Sequence, residues 1–543
     1  MRVARIAIVV VALSVAVGLS GATAGPSPTD VLTVATVTSP SGTGTVNVPL
    51  FLQDNTGTPI GRDKAAGLKI SGFAFQVVYG PNACIDTPAS AGGQVLLTGG
   101  ILASQSADLD SRVKVANNSQ SWIYFSAESH GLIPFTAAAT PGDRIGTMVF
   151  NLTGCSPGTI NLVVTVAGGA AALLYSDSNT SETVGSGLTV VNGAIVIPSA
   201  QAAGLLVDPV ANGGLSDGNS IFEPGESVLV EPSFKNNTAG PLSLSGTASA
   251  FTGPAGPAYT LNDSAADYGS IAAGATNNCT TTGNCYEMTV SNPPTRPAVH
   301  WDAMFTETLS DGDPATVRKL HIGQSFTDVP KTHTFYQFIE RILHGGVTTG
   351  CGGSLYCPND NVFRLQMAVF IARSQAGSDA AIPSSGSAQG NPYNCVGGGQ
   401  SQFTDISPAD PFCRHVHYIF STGVTTGCIT TPPRQYCPGD NVSRGQMALF
   451  IARAVAGSDA AVPVTYGPDP VTGRSYSCNA GSPNLFFTDI ATTDIYCRHT
   501  HFLWAKNVIS GFPDGTFGPA LPVSRGAMAK FLANGFNLKL YGP

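Results

Sequence analysis

The stretches VFRLQMAVFIAR (residues 362–373), VSRGQMALFIAR (442–453) and VSRGAMAKFLAN (523–534) are one pattern written three times. In the first, Met367, Phe370 and Ile371 stand at the i, i+3, i+4 spacing of a helix with one apolar face, and their counterparts do the same in the others. Phe-Thr-Asp precedes each copy, at Phe326, Phe403 and Phe487, and an Arg follows that Phe by 38, 41 and 38 residues: Arg364, Arg444 and Arg525. An earlier helix signal runs through Phe335, Phe338, Ile339 and Ile342, and recurs at His417 to Phe420 and at Phe502 to Trp504. Glycines at Gly345-Gly346, Gly423 and Gly511 close these segments. Each unit therefore reads as helix, loop, helix, over 326–375, 395–455 and 478–536. A unit of that size cannot bury its apolar stripe alone, so the three are expected to share one helical core.

Outward from this tail, the 543 residues are too many for one core. Charged residues make up 11%, with 63 Gly and 38 Pro against 43% hydrophobic residues. That composition excludes charged disorder and long charged helices, and it favours β-rich, turn-rich modules. The net charge of −8 is uneven: residues 326–543 carry 14 Lys+Arg against 12 Asp+Glu, and residues 1–325 carry 12 against 22. Neither part has the clustered basic face of a nucleic-acid binder. Residues 1–24 read as a secretory signal, with Arg2 and Arg5, an apolar Ile6 to Leu19, and Ala22-Thr23-Ala24 as the cleavage site. No later apolar run reaches the ~18 residues needed to span a bilayer. The expectation is a secreted protein without a membrane span after signal removal, retained at the cell surface by other means.

The repeats resemble S-layer homology modules, whose pattern is F-x-D-V, a helix, G-[IV]-[TI]-x-G, a turn, then [IV]-T-R-[AG]-E into a second helix. The third copy matches best, through Ile509-Ser510-Gly511-Phe512-Pro513-Asp514-Gly515-Thr516-Phe517 and Val523-Ser524-Arg525-Gly526. The resemblance implies a three-pronged unit that binds cell-envelope polysaccharide or peptidoglycan-linked glycan, often acidic, with Arg364, Arg444, Arg525 and Asp514 as contacts. A guanidinium suits that role, since its planar fork accepts two carboxylate oxygens and stays ionised. The other reading has each Arg capping its helix or pairing with Asp328, Asp405 or Asp489. Under the first reading, replacing all three Arg by Ala abolishes envelope binding and leaves unfolding little changed. This chain departs from the family at Gln366, Gln446 and Ala527, where the pattern has Glu.

The 12 cysteines of an exported chain point to disulfides. Cys351/Cys357 and Cys428/Cys437 appear in copies one and two and vanish together in copy three, where Phe512 and Gly518 stand. Cys395/Cys413 and Cys478/Cys497 likewise appear as pairs, so bridges within each repeat are expected. Cys279 with Cys285 and Cys84 with Cys155 complete the set. Metal binding by Cys413-Arg414-His415-Val416-His417 or by Cys497-Arg498-His499-Thr500-His501 is disfavoured, because i and i+2 on a helix lie about 200° apart.

The front of the chain reads as β throughout. Residues 31–198 alternate in strands such as Phe73 to Tyr79, Ser121 to Phe125 and Leu188 to Ile197, and Ile160 to Tyr175 reads as two strands and a turn. Their order resembles a cohesin or a related carbohydrate-binding sandwich, which implies a dockerin-bearing protein or a sugar as partner. Trp122 and Tyr124 fit a sugar-stacking platform, and equally a sandwich core. Residues 204–323 resemble an immunoglobulin-like spacer opening on Asp217-Gly218-Asn219 and Glu223-Pro224-Gly225-Glu226. There Asp217, Asn219, Glu223 and Glu226 offer hard oxygens that suit calcium, and suit plain turn hydrogen bonding as well. The expected fold class is multidomain: two all-β sandwiches, cohesin-like and immunoglobulin-like, then a mainly α three-repeat unit. No H-E-x-x-H, G-x-S-x-G or phosphate-loop motif occurs, and the expectation is a non-enzymatic surface protein. The alternatives are a structural S-layer or adhesin subunit, and a secreted glycan-binding or polysaccharide-degrading accessory protein.

Overall fold

A computed structural model describes residues 30–39, 44–53, 70–79, 95–96, 114–116, 119–125, 140–152, 155–165, 173–176, 181–184, 187–388 and 390–542. The signal segment and Cys84 lie outside them, and the side chains of Phe73, Trp122 and Tyr124 lie outside what is described. The chain divides into two units. One holds the described residues up to Ala202 with Phe234–Ser243 and Ser270–Asn277, and the other holds Ala203–Ser233, Leu244–Gly269 and Asn278 onward.

Among the described residues of the first unit the regular elements are strands. Asp30–Val34 pairs antiparallel with Thr45–Gln53, which pairs in turn with Asp143–Asn151. Period-2 alternation sends Leu32, Val34, Val48, Leu50, Leu52, Phe75, Val77 and Tyr79 into a common core with Met148 and Phe150. The described residues within 160–175 belong to two strands, Gly158–Thr165 and Leu173–Ser176, and the expected turn between them lies outside the described residues. The run expected as one strand over Leu188 to Ile197 is broken at Asn192 into Gly187–Val191 and Gly193–Ile197. The break is physical. A side chain at Gly193 would collide with the carbonyl oxygens of Val34 and Ala35, and Asn192 Oδ1 accepts a hydrogen bond from Val164 N at 2.9 Å.

Two further sheets fall mostly in the second unit. Strands Ala200–Val207, Ser227–Asn236, Tyr286–Val290 and Tyr259–Asp263 line up in one; Ala265–Ile271, Leu242–Thr252, Asp302–Leu309 and Thr316–His321 make the other. Trp301, Tyr268, Tyr286 and Phe305 are buried. Glu307 is buried with them, accepting from Tyr268 Oη at 2.6 Å, Tyr286 Oη at 3.0 Å and Arg318 Nε at 2.8 Å. A buried carboxylate persists in a core only with such partners.

Six helices follow among the described residues: α1 (Tyr336–His344), α2 (Arg364–Ala376), α3 (Cys413–Ser421), α4 (Arg444–Ala456), α5 (Cys497–Ala505) and α6 (Arg525–Gly535). Ser443 Oγ caps α4 and Ser524 Oγ caps α6 at the third helical N–H. Gly377 and Gly457 end α2 and α4 at φ 78° and 87°, a left-handed conformation that glycine adopts without penalty. The helices do not pack chiefly within their own copies. α2 lies against α3, α4 against α5, and α6 returns to α1, while α2, α4 and α6 meet one another at the centre. The return contact is sealed by Arg341, which donates to the carbonyls of Leu538 and Ala533 and to Asn534 Oδ1. Three backbone hydrogen bonds close a ring just ahead of the central helices: Val362 N to Val523 O at 3.0 Å, Val523 N to Val442 O at 2.9 Å, and Val442 N to Val362 O at 2.9 Å.

Candidate functional site

Each helix pair is bridged by a loop that the Phe-Thr-Asp carboxylate holds in place. Asp328 accepts from Tyr356 N at 2.8 Å and Cys357 N at 2.7 Å. Asp405 does the same for Tyr436 and Cys437, and Asp489 for Phe517 and Gly518. The second residue of each pair has positive φ, 59° at Cys357, 57° at Cys437 and 69° at Gly518. Glycine adopts that conformation freely, whereas the two cysteines are held in it by bridges to Cys351 and Cys428. This accounts for the joint loss of both cysteines in copy three.

The three arginines bind the loop of the next copy, not their own aspartate. Arg364 Nε donates to Tyr436 O at 2.8 Å, Arg444 Nε to Phe517 O at 2.7 Å, and Arg525 Nε to Tyr356 O at 2.9 Å. Their guanidinium groups stack on rings, Arg364 on Tyr436 and Phe450, Arg444 on Phe512 and Phe517, and Arg525 on Tyr356 and Phe370, at 4.6–5.5 Å. Tyr436 Oη and Tyr356 Oη return hydrogen bonds of 2.8 Å to the carbonyls of Arg364 and Arg525. Burial lowers the pKa of Arg444. These side chains are staples between copies. Against the expectation that alanine at all three leaves unfolding little changed, Arg364 and Arg525 are buried and hydrogen-bonded and Arg444 is half-buried, so their removal is expected to lower stability.

Where the family pattern has Glu, Gln366 and Gln446 accept from the backbone N–H of Phe363 and Ser443 at 3.2 and 3.1 Å. A glutamine oxygen completes this capping geometry as a carboxylate does.

Beside the ring lies a polar cleft of about 490 Å³, lined by Gly350, Cys351, Asp360, Asn361, Phe363, Gln366, Asn441 and Arg525. It draws residues from all three copies. Arg525 is 4% exposed and its Nη2 has no hydrogen-bond partner among the described residues, as is true of Nη2 on Arg364. Of the four expected glycan contacts, Arg525 lines this cleft. Asp514 sits on the exposed loop of copy three, accepting from Thr516 Oγ1 at 2.6 Å and Thr516 N at 2.9 Å, bonds that hold its pKa below the ordinary value.

The residues expected to suit calcium stand around a protein cation. Lys331 Nζ lies 3.3 Å from Asp217 Oδ2, 3.2 Å from Glu223 Oε2 and 2.5 Å from Glu226 Oε1. Asn219 Nδ2 donates to Glu223 Oε1 at 2.9 Å, and Tyr336 Oη donates to the same oxygen at 2.7 Å. Burial pushes Glu223 up to about 8. The cluster ties the β part of this unit to the segment leading into α1.

Five of the expected disulfides are present: Cys279–Cys285, Cys351–Cys357, Cys395–Cys413, Cys428–Cys437 and Cys478–Cys497. The histidines beside them serve packing. His417 Nδ1 lies 2.9 Å from Cys413 O and its Nε2 accepts from Gln402 N at 2.9 Å, while His501 Nδ1 lies 2.8 Å from Cys497 O. Sequence reasoning missed a different cluster, His300, Asp302, His321 and His344. The alternation His300-Trp301-Asp302 at a strand start was a partial signal. Burial opposes ionisation of Asp302, but hydrogen bonds to the three histidines outweigh it and hold the carboxyl well below the ordinary range.

Comparison with known proteins finds an S-layer homology domain at residues 486–529. No curated protein matches the chain. Among solved structures, Escherichia coli alpha-2-macroglobulin activated by porcine elastase aligns at 11% identity and a TM-score of 0.15, over 55% of this chain and 22% of that one. The full-length major pilin SpaD of Corynebacterium diphtheriae aligns at 10% identity and a TM-score of 0.12, over 54% and 66%. Neither likeness carries an argument about fold. No helix among the described residues is long and apolar enough to cross a membrane.

Proposed function

We propose that this is an exported, non-enzymatic protein held at the cell envelope by residues 326–536, acting as three S-layer homology modules that bind envelope glycan. The observation that carries the reading is the S-layer homology match at 486–529, whose helix pair recurs twice more in the same closed ring. The polar cleft beside that ring suits a sugar. Its amide side chains and buried guanidinium are the donors and acceptors that hydroxyls and acidic substituents pair with, and Phe363 offers a ring for stacking. Arg525 contributes through its Nη2 while its Nε holds the Tyr356 carbonyl; Arg364 and Arg444 hold the corresponding carbonyls of the other two loops.

In the same reading residues 31–198 form a cohesin-like sandwich that takes a protein, such as a dockerin-bearing one, or a carbohydrate, and residues 204–323 an immunoglobulin-like spacer. The experiment is co-sedimentation of the full chain with purified sacculi that carry their envelope polysaccharide. The Asn361→Ala/Asn441→Ala double variant removes cleft hydrogen bonds from exposed positions and is expected to bind about tenfold more weakly at unchanged melting temperature. Wild-type protein that stays in the supernatant, or a double variant that sediments like wild type, overturns the assignment.

A further inference from the structure

Two strands and a helix end bring four metal-ligating side chains to one point. Asp302 is the first residue of strand Asp302–Leu309, and His300 stands two residues ahead of it. The antiparallel register sets Asp302 opposite His321, the last residue of strand Thr316–His321. His344 is the last residue of α1. Asp302 Oδ1 lies 3.2 Å from His300 Nε2, 3.3 Å from His321 Nδ1 and 3.2 Å from His344 Nδ1. All four donor atoms fall within 4.8 Å of one another.

An outer layer orients the cluster. His321 Nε2 lies 2.8 Å from Glu340 Oε2, and that buried carboxylate also accepts from Ser325 N at 2.9 Å and Ser325 Oγ at 2.6 Å. With Nε2–H given to Glu340, His321 Nδ1 faces the cluster; it donates to Asp302 in the metal-free protein and releases that proton on taking an ion. A carboxylate behind an imidazole is the arrangement that fixes tautomer and ring angle in metal-binding histidines.

We propose that His300, Asp302, His321 and His344 bind one divalent transition metal ion, zinc foremost. Three imidazoles and one carboxylate suit zinc, and poorly suit calcium or magnesium, which take oxygen. Metal–ligand distances of about 2.0–2.2 Å set donor atoms of a tetrahedron roughly 3.3 Å apart. Asp302 Oδ1 already stands at that separation from each nitrogen, so closing the site asks only that the imidazoles draw together. Exposure falls from 41% at His300 to 0% at His321, so an ion enters past His300 and meets a fixed donor behind it. Four protein ligands leave no open position, which assigns the ion a structural duty: it clips the last β-hairpin to α1.

The other groupings in this unit are already satisfied. The sulfurs near His417 and His501 are in disulfides, and Lys331 stands among Asp217, Glu223 and Glu226.

The test uses the untagged full chain, stripped with chelator and titrated with Co²⁺ by ligand-field absorption and with Zn²⁺ by calorimetry. One ion per chain is expected, undisturbed by millimolar Ca²⁺. His300→Ala and His344→Gln each weaken binding by at least about tenfold, while His333→Ala, outside the cluster, leaves it unchanged. Circular dichroism checks folding, and if His344→Gln unfolds, the exposed His300→Ala decides. Absence of stoichiometric binding, or wild-type affinity in the folded His300→Ala protein, overturns the proposal. Neither result bears on glycan binding, which is read separately by sedimentation.

Discussion

Two joints in the same unit are built from different chemistry. Copy is joined to copy by backbone hydrogen bonds among Val362, Val442 and Val523 and by guanidinium groups that never lose their charge. The β part is joined to the first copy by groups that titrate: Glu223, Glu226 and Lys331 on one side, His321, Glu340 and Asp302 on the other. Between them Tyr541 Oη accepts from Phe222 N at 2.8 Å and donates to His321 O at 2.9 Å, drawing the chain end into the second joint. The first joint is permanent by composition. The second depends on each buried charge keeping its partner.

Removing one partner from the second joint is therefore expected to give the largest effect. Glu340→Ala leaves His321 and Ser325 facing an empty, buried space, and its cost is about 3–5 kcal/mol in denaturant unfolding of the second unit. A loss below 1 kcal/mol would break the comparison, since it would make the buried network dispensable. At the first joint, Arg525→Lys keeps the charge but cannot both stack on Tyr356 and donate from the Nε position. A loss of roughly 2 kcal/mol is expected in the same measurement, and unchanged stability would show that the backbone ring suffices.

The smallest effect concerns the turns after α2 and α4. Asp379 takes Arg373 Nε and His415 Nε2 at 2.8 Å each and also pairs with Arg414; Asp459 takes Arg453 Nε at 2.7 Å and His499 Nε2 at 2.9 Å and also pairs with Arg498. Burial raises both carboxyl pKa values, but hydrogen bonds to these histidines and arginines outweigh it and bring each to about 2. Folded values below the unfolded ones contribute stability that is present above the ordinary carboxyl pKa and lost as pH falls from about 4 toward 2. Both carboxylates are more than a third exposed, so the loss is modest. Asp379→Asn/Asp459→Asn is expected to flatten the melting temperature over that acid range, and an unaltered slope would assign the acid sensitivity elsewhere.

Local physics made part of this legible. Helix spacing at Met367, Phe370 and Ile371 depends on neighbours three and four residues away, and α2 formed there. Bridges such as Cys428–Cys437 were legible because both cysteines come and go together between copies. The reach of Arg364, Arg444 and Arg525 was not, because each touches a loop some 70 or more residues distant in sequence, as from Arg364 to Tyr436. Nor was Lys331, whose charge lies 105 residues from Glu226.

By itself the amino-acid order determined which segments turn into helix or strand, and which cysteines stand ready to bridge, since those outcomes rest on short-range periodicity and spacing. Only the tertiary structure decided that α1 packs on α6 rather than on α2, that a lysine fills the acidic cluster, and that His300, Asp302, His321 and His344 converge. Such outcomes follow from which apolar faces find each other. That choice balances buried area against the placement of every buried charge, and no local pattern encodes it.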